Sequence, residues 1–309
     1  MAKEEKPPIP WLMISHGKNE DRHTFFSIVK NRYHSKRITE MQNKYVWSSS
    51  WGWWIVNDFQ TGDCFLFNPR TTEKIQLPPL EPICPIDSCW NVCILSAPPN
   101  DPKCHILFVY IDKDCVAYFG QPGDEEFVKQ KLDGQLQSAT TCGENVYGMM
   151  NGRVLVNITF GERTIQLTEI RGGLLPKASF PETLISCRCL LESGGELLYV
   201  VKILSSSFFT EVISIKIFRW DWESRWIELD TIGDQVIFIN HRWGMSSSVV
   251  DQAIDGNRVY FTEGRGRNLC VFDVQDGSIT SLVPCPTVSS DKSFSNWVLM
   301  PPSIYVGEE

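Results

Sequence analysis

The sequence predicts an all-β protein, a single β-propeller of degenerate kelch-like blades, and three observations predict it. Short apolar runs rich in β-branched and aromatic residues recur along the chain, with no comparable helical periodicity. Turn sequences that supply positive φ separate these runs: Thr61-Gly62-Asp63, Asn151-Gly152, Asp255-Gly256 and Asp276-Gly277. The hairpin units, near 51–68, 104–120, 152–170, 196–219 and 257–274, recur at about 45–50 residues, the period of a propeller blade. Six blades fit the 309-residue chain best, with seven also compatible. Eleven tryptophans supply the large flat side chains that pack between blade sheets.

The elements follow in order. Trp11-Leu12-Met13-Ile14 is an apolar strand that needs a partner, and Asn296-Trp297-Val298-Leu299-Met300 is the expected one, so the two end strands should close the ring within one blade. Asp21 to Lys44 places Phe25, Ile28, Val29 and Tyr33 at helix-compatible spacing, yet Phe25-Phe26-Ser27-Ile28 reads equally well as a strand. Strands are then expected at Trp53–Asn57, Phe65–Asn68, His105–Tyr110, Val116–Gly120, Arg153–Thr159, Leu197–Lys202, Arg258–Thr262 and Asn268–Val274. In Glu211–Phe218, alternation puts Ile213, Ile215 and Ile217 on one face, with Ser214 and Lys216 on the other. Leu77–Pro85 and Cys285–Asp291 read as inter-blade connections. No linker divides the chain, so residues 10–305 are expected to form one domain between flexible residues 1–9 and 306–309. Trp220-Asp221 is an isolated WD pair and Gly194–Tyr199 a single kelch-like fragment, so the blades are degenerate copies.

Composition narrows the function classes. A net charge of −8 gives no global positive field, so nucleic acid is not an expected partner, and no apolar stretch approaches the ~20 residues of a membrane span. The N-terminal residues lack the apolar core of a secretory signal, and eleven cysteines cannot all pair internally. A cytoplasmic or nuclear monomer with reduced, buried thiols is the expectation. Cys84, Cys89, Cys93 and Cys104 lack the paired close spacing of a zinc site, and Cys187 and Cys189 share one strand face as core residues, so no metal and no cofactor are expected. Asn157-Ile158-Thr159 is a formal sequon without a secretory context.

Several segments resemble the plant family known as domain of unknown function 295, the KIB-type β-propellers that commonly follow an F-box. They are Pro10–Met13, Phe25–Ser27, Ser50–Trp54, Phe65–Leu80, Gly143–Leu155, Leu191–Gly195, Phe218–Asp234, Asn257–Thr262 and Val271–Leu282. The Asn68-Pro69 to Leu77-Pro78-Pro79-Leu80 stretch is the most specific of these. The resemblance implies a substrate-recognition propeller. About ten residues precede the first strand, so the expectation is a propeller lacking the F-box that would engage a Skp1-type adaptor, acting alone or in trans.

No GxSxG, HExxH, Walker or dinucleotide motif is present, and His16, His23, His34, His105 and His241 are scattered. The preferred reading is a non-catalytic module that binds a protein or peptide partner on one face. The alternative is a cofactor-independent enzyme of isomerase, cyclase or hydrolase type, or a small-molecule binder, with its ligand at the mouth of the central channel. Aromatic and arginine residues dominate binding hot spots, which singles out Trp51, Trp53, Arg163, His241, Arg242, Trp243, Arg265 and Arg267. Glu162-Arg163, the Ser205–Thr210 loop and Glu263–Arg267 are expected on one face. Gly264-Arg265-Gly266-Arg267 reads first as a solvated hairpin tip, with anion contact as a lesser role. The bland reading of each Trp is blade-packing core.

Overall fold

The structure, a computed structural model, describes residues 9–16, 22–38, 41–42, 44–58, 60–81, 92–175, 185–205, 211–240, 243–250, 252, 254–263, 268–286, 288 and 294–299. They form a six-bladed β-propeller with no α-helix among them. Blade 1 contains β1 (Trp11–His16), β2 (Arg22–Ser27) and β3 (Arg32–Arg37). Blade 2 is β4 (Lys44–Ser48), β5 (Trp54–Asp58), β6 (Cys64–Phe67) and β7 (Lys74–Leu77). Blade 3 is β8 (Val92–Leu95), β9 (Ile106–Ile111), β10 (Cys115–Gly120) and β11 (Val128–Leu132). Blade 4 is β12 (Leu136–Cys142), β13 (Asn145–Met150), β14 (Val154–Phe160) and β15 (Ile165–Leu174). Blade 5 is β16 (Ile185–Ser193), β17 (Glu196–Leu204), β18 (Val212–Asp221) and β19 (Arg225–Leu229). Blade 6 is β20 (Gln235–Ile239), β21 (Gly244–Ser248), β22 (Arg258–Glu263), β23 (Asn268–Asp273) and β24 (Ile279–Leu282), and β25 (Phe294–Val298) returns to blade 1.

β25 lies beside β1 in antiparallel register, Leu12 opposite Trp297 and Met13 opposite Asn296, so the two end strands share a blade and the C-terminal one supplies its inner strand. One apolar layer fills each of the six gaps between neighbouring blades. Small polar side chains tie inner strands together around the axis. Ser138 Oγ accepts from the Leu190 amide at 2.8 Å, Ser193 Oγ meets Ser246 Oγ at 2.7 Å, and Asn296 Nδ2 donates to the Val46 carbonyl at 2.8 Å. These bonds satisfy groups at an edge that no further strand covers.

Four local expectations are settled by packing. Residues 22–37 are the β2–β3 hairpin, not a helix: Phe25 and Phe26 are buried on opposite faces of β2, and Asn31 turns the chain at φ 48°. Ile213 does not share the buried face of Ile215 and Ile217. It is the extra residue of a bulge between the Ile203–Ser214 and Leu204–Val212 pairs and stands exposed. The Gly62, Asn151-Gly152 and Gly277 turns take positive φ as expected. Asp255-Gly256 makes no hairpin: Asn257 holds the positive φ, and a Cβ on Gly256 would lie 2.6 Å from the Gly233 carbonyl oxygen. That close approach admits the crossover into β22.

Blade 6 departs from the four-strand plan. β20 inserts between β21 and β22, antiparallel to the first and parallel to the second. Val236, Ile237, Phe238 and Ile239 are all buried, as expected for a strand covered on both faces.

Candidate functional site

In an up-and-down blade the inner-to-second and third-to-fourth turns emerge on one face of the disc, here termed lower, and the second-to-third turns on the upper face. The lower face holds an open cleft of about 530 Å³ where blades 2, 3 and 4 meet. Trp51, at the β4–β5 turn, stands on one side. The long Ser96–His105 connection between β8 and β9 forms the second wall, and Gly143–Val146 with Asn157–Phe160 the third.

The blade 3 wall is built by local hydrogen bonding. Ser96 and His105 close its base: the Ser96 amide donates to the His105 carbonyl at 2.9 Å, and Ser96 Oγ accepts from the His105 amide at 2.7 Å. Asp101 Oδ1 accepts from the Lys103 amide at 2.8 Å, an Asx turn that sets the tip. Gln121 Nε2 tethers the loop through the Pro102 carbonyl at 2.8 Å. His105 Nδ1 lies 3.0 Å from the Lys103 carbonyl oxygen, which makes Nδ1 the donor and fixes the ring's orientation. The His105 ring stacks on Phe160 of blade 4, with centroids 4.6 Å apart and planes 9° from parallel.

Two features of the cleft bear on what it could hold. Trp51 is 39% exposed, an indole face open to solvent beside a preformed concavity. Lys103, Asp101 and Glu144 place charges of both signs on the lining, so a mixed-charge ligand finds complements. Cys104, behind the loop, donates to the Ala97 carbonyl, and burial pushes its thiol up to about 11, so it is a protonated packing group at neutral pH. Among the described residues no cluster of three His, Cys, Asp or Glu could hold a metal ion.

The residues singled out from sequence divide between the faces. Trp51, Trp53 and Arg163 lie on the lower face; Trp243, just before β21, lies on the upper. Trp53 packs against the apolar layer between blades 2 and 3, and Trp243 against the layer between blades 6 and 1. Arg163 is exposed in the β14–β15 turn that begins at Phe160. The strand order therefore separates Glu162-Arg163 from Ser205, which follows the end of β17 on the upper face. His241, Arg242, Arg265 and Arg267 lie outside the described residues, as do 206–210 and Cys84 and Cys89.

Sequence reasoning missed the Ser96–His105 wall. Its signal is the Ser96-Ala97-Pro98-Pro99-Asn100-Asp101-Pro102 run, a long proline-rich connection where blades 4 and 5 turn in two residues at Gly143-Glu144 and Gly194-Gly195.

The KIB1-4 β-propeller family model matches residues 25–273. The chain belongs to the KIB1-4 β-propeller family. A search of the curated proteins finds no match. Among solved structures, the chain is similar to apo AztD from Citrobacter koseri at 11% identity, covering 95% of this chain and 100% of that one with a TM-score of 0.41. It is similar to the Cps50 (Swd1) β-propeller domain of Myceliophteria thermophila at 10% identity, 88% and 80% coverage and a TM-score of 0.42. It is also similar to a protein of unknown function from Bacteroides caccae at 8% identity, 93% and 94% coverage and a TM-score of 0.40.

Proposed function

We propose that this KIB1-4 family propeller is a binding module that holds a protein or peptide partner on its lower face, with the cleft beside Trp51 as the anchor point. The single observation that carries the reading is the half-exposed Trp51 indole at the edge of an open concavity whose lining carries charges of both signs. Aromatic anchors in pockets dominate protein-binding energetics. The partner's anchor residue would rest against Trp51 and the Phe160–His105 stack, with Lys103 and Glu144 selecting its flanking charges. The test is isothermal titration of a purified candidate partner against wild type, Trp51→Ala and Lys103→Glu. Each variant should weaken binding by roughly tenfold at an unchanged melting temperature. A partner that binds all three equally overturns the lower-face assignment.

The finer form of this reading is a substrate receptor resembling F-box-associated propellers, with the adaptor-binding module supplied outside residues 9–299. That form expects no co-elution of the chain with a purified Skp1-type adaptor on size exclusion. A stable complex at micromolar concentration would reject it. The size of the cleft, about 530 Å³, also suits a small molecule, which favours the second reading of a small-ligand or cofactor-independent catalytic site. A metabolite panel scored by thermal shift separates the two, because only a ligand filling the cleft raises the melting temperature of wild type and not that of Trp51→Ala.

A further inference from the structure

The outer edge of blade 1 concentrates positive charge on an acidic molecule. Between Arg22 and Ile38 the chain has five basic residues, Arg22, Lys30, Arg32, Lys36 and Arg37, and no carboxylate, although the net charge of the protein is −8. All six residues of β3 are exposed, which no outer strand of the other five blades matches among the described residues. Among the described residues β3 pairs only with β2, so its outward edge presents backbone N–H and C=O groups with no described strand beside them. The register sets Arg22 directly opposite Arg37 and His23 opposite Lys36.

We propose that the β3 edge is a docking strand for an acidic, extended segment of a protein partner. The segment adds to blade 1 as a further strand, its backbone pairing with β3 and its carboxylates meeting Arg32 and Lys36 on one face of the sheet. Those two side chains are four residues apart on one strand, about 13 Å, so carboxylates at alternate positions of an extended peptide match them. The cations also repel a second copy of the same edge, which makes the surface selective for an acidic strand. A phosphate polymer would meet the charges but has no peptide backbone to pair with the strand edge. This surface is separate from the lower-face cleft, so it stands or falls independently of it.

The test uses the full chain and a labelled peptide of alternating Glu and Thr, followed by fluorescence anisotropy and by amide hydrogen exchange. Binding should weaken with salt, and exchange at the β3 amides should slow when the peptide is bound. The double variant Arg32→Glu/Lys36→Glu, and the milder Arg32→Gln/Lys36→Gln, should lose roughly tenfold or more in affinity at an unchanged melting temperature. Binding without slowed exchange in β3, an equal affinity for the charge-reversed protein, or preferential binding of an oligothymidylate would each overturn the proposal.

Discussion

Blades 1 and 6 both break the four-strand plan, and they break it in opposite ways. Blade 1 is a strand short until β25 arrives from the far end of the chain, whereas blade 6 holds one strand too many. The two irregularities meet. Trp297 of β25 is fully buried, its indole N–H donates to the Ile239 carbonyl of β20 at 3.1 Å, and its ring lies 5.0 Å from that of Phe238. The strand that closes the ring therefore rests on the strand that has no counterpart in the other blades. A regular blade such as blade 2 is held by turns and neighbours close in sequence, while blade 1 pairs Leu12 with Trp297 from the two ends of the chain.

The sharpest way to break this comparison is to delete residues 294–309. Loss of β25 bares the inner edge of β1 and the apolar layer around Leu12, Ile14 and Phe238, and the expected outcome is loss of the cooperative melting transition with aggregation. A soluble, cooperatively melting truncation would show that the ring does not need its closing strand.

A smaller break is Trp297→Ala, which removes a fully buried indole together with its hydrogen bond and should cost about 3–5 kcal/mol. Combining it with Phe238→Ala in a double-mutant cycle measures the joint itself. The coupling should be about 0.5–1.5 kcal/mol, the range for aromatic pairs, and additive effects would mean that the two blades do not support each other.

Sequence legibility follows the same division. The closing blade was readable because Trp11–Ile14 and Asn296–Met300 are apolar strands at the two ends that both need a partner. β20 was not, because Val236-Ile237-Phe238-Ile239 is a short apolar run buried on both faces, with no alternation to mark a strand and no turn dipeptide before β21. Ile213 misled for a related reason: a bulge shifts the face without altering the letters. Of the cleft, Trp51 was found from residue type alone. The rest comes from turns in three blades, separated by some fifty residues each, which only the packing of consecutive blades brings to one place.

Blade 2 offers the local counterpart. Lys44 of β4 bridges to Asp58 of β5 at 3.0 Å, and Asp58 Oδ1 also accepts from the Gln60 and Thr61 amides at 2.9 and 3.2 Å. Burial pushes the Asp58 carboxyl upward, yet the Lys44 ammonium and the two amides together outweigh it and hold the group below the ordinary 3.8. A depressed folded-state value means that the stabilisation is present above pH 3.8 and is lost as pH falls through the folded value. Asp58→Ala should therefore cost about 1 kcal/mol at neutral pH, and its deficit against wild type should shrink as the pH drops below that range. A deficit independent of pH would place the effect in packing and not in charge.

The smallest expected effect lies in the same blade, at the β6–β7 turn. Thr72 sits there at φ 62°, a left-handed conformation that a β-branched residue takes at a cost of about 1–2 kcal/mol. The turn survives because it is fastened locally: Asn68 Oδ1 accepts from the Arg70 amide at 2.9 Å, and the Thr72 amide donates to the Asn68 carbonyl at 2.8 Å. The side chain is exposed, so a replacement meets no packing constraint. Thr72→Asn should stabilise by about 0.5–1 kcal/mol, because Asn tolerates the left-handed region. Thr72→Gly should gain less, since glycine removes the strain but adds unfolded-state entropy of about 0.5–1 kcal/mol. Melting temperatures in the order Asn, Gly, Thr would show that a regular blade can be improved by one residue within its own turn. If both variants melt below wild type, the bond from Thr72 Oγ1 to the Thr71 carbonyl at 2.6 Å outweighs the backbone strain.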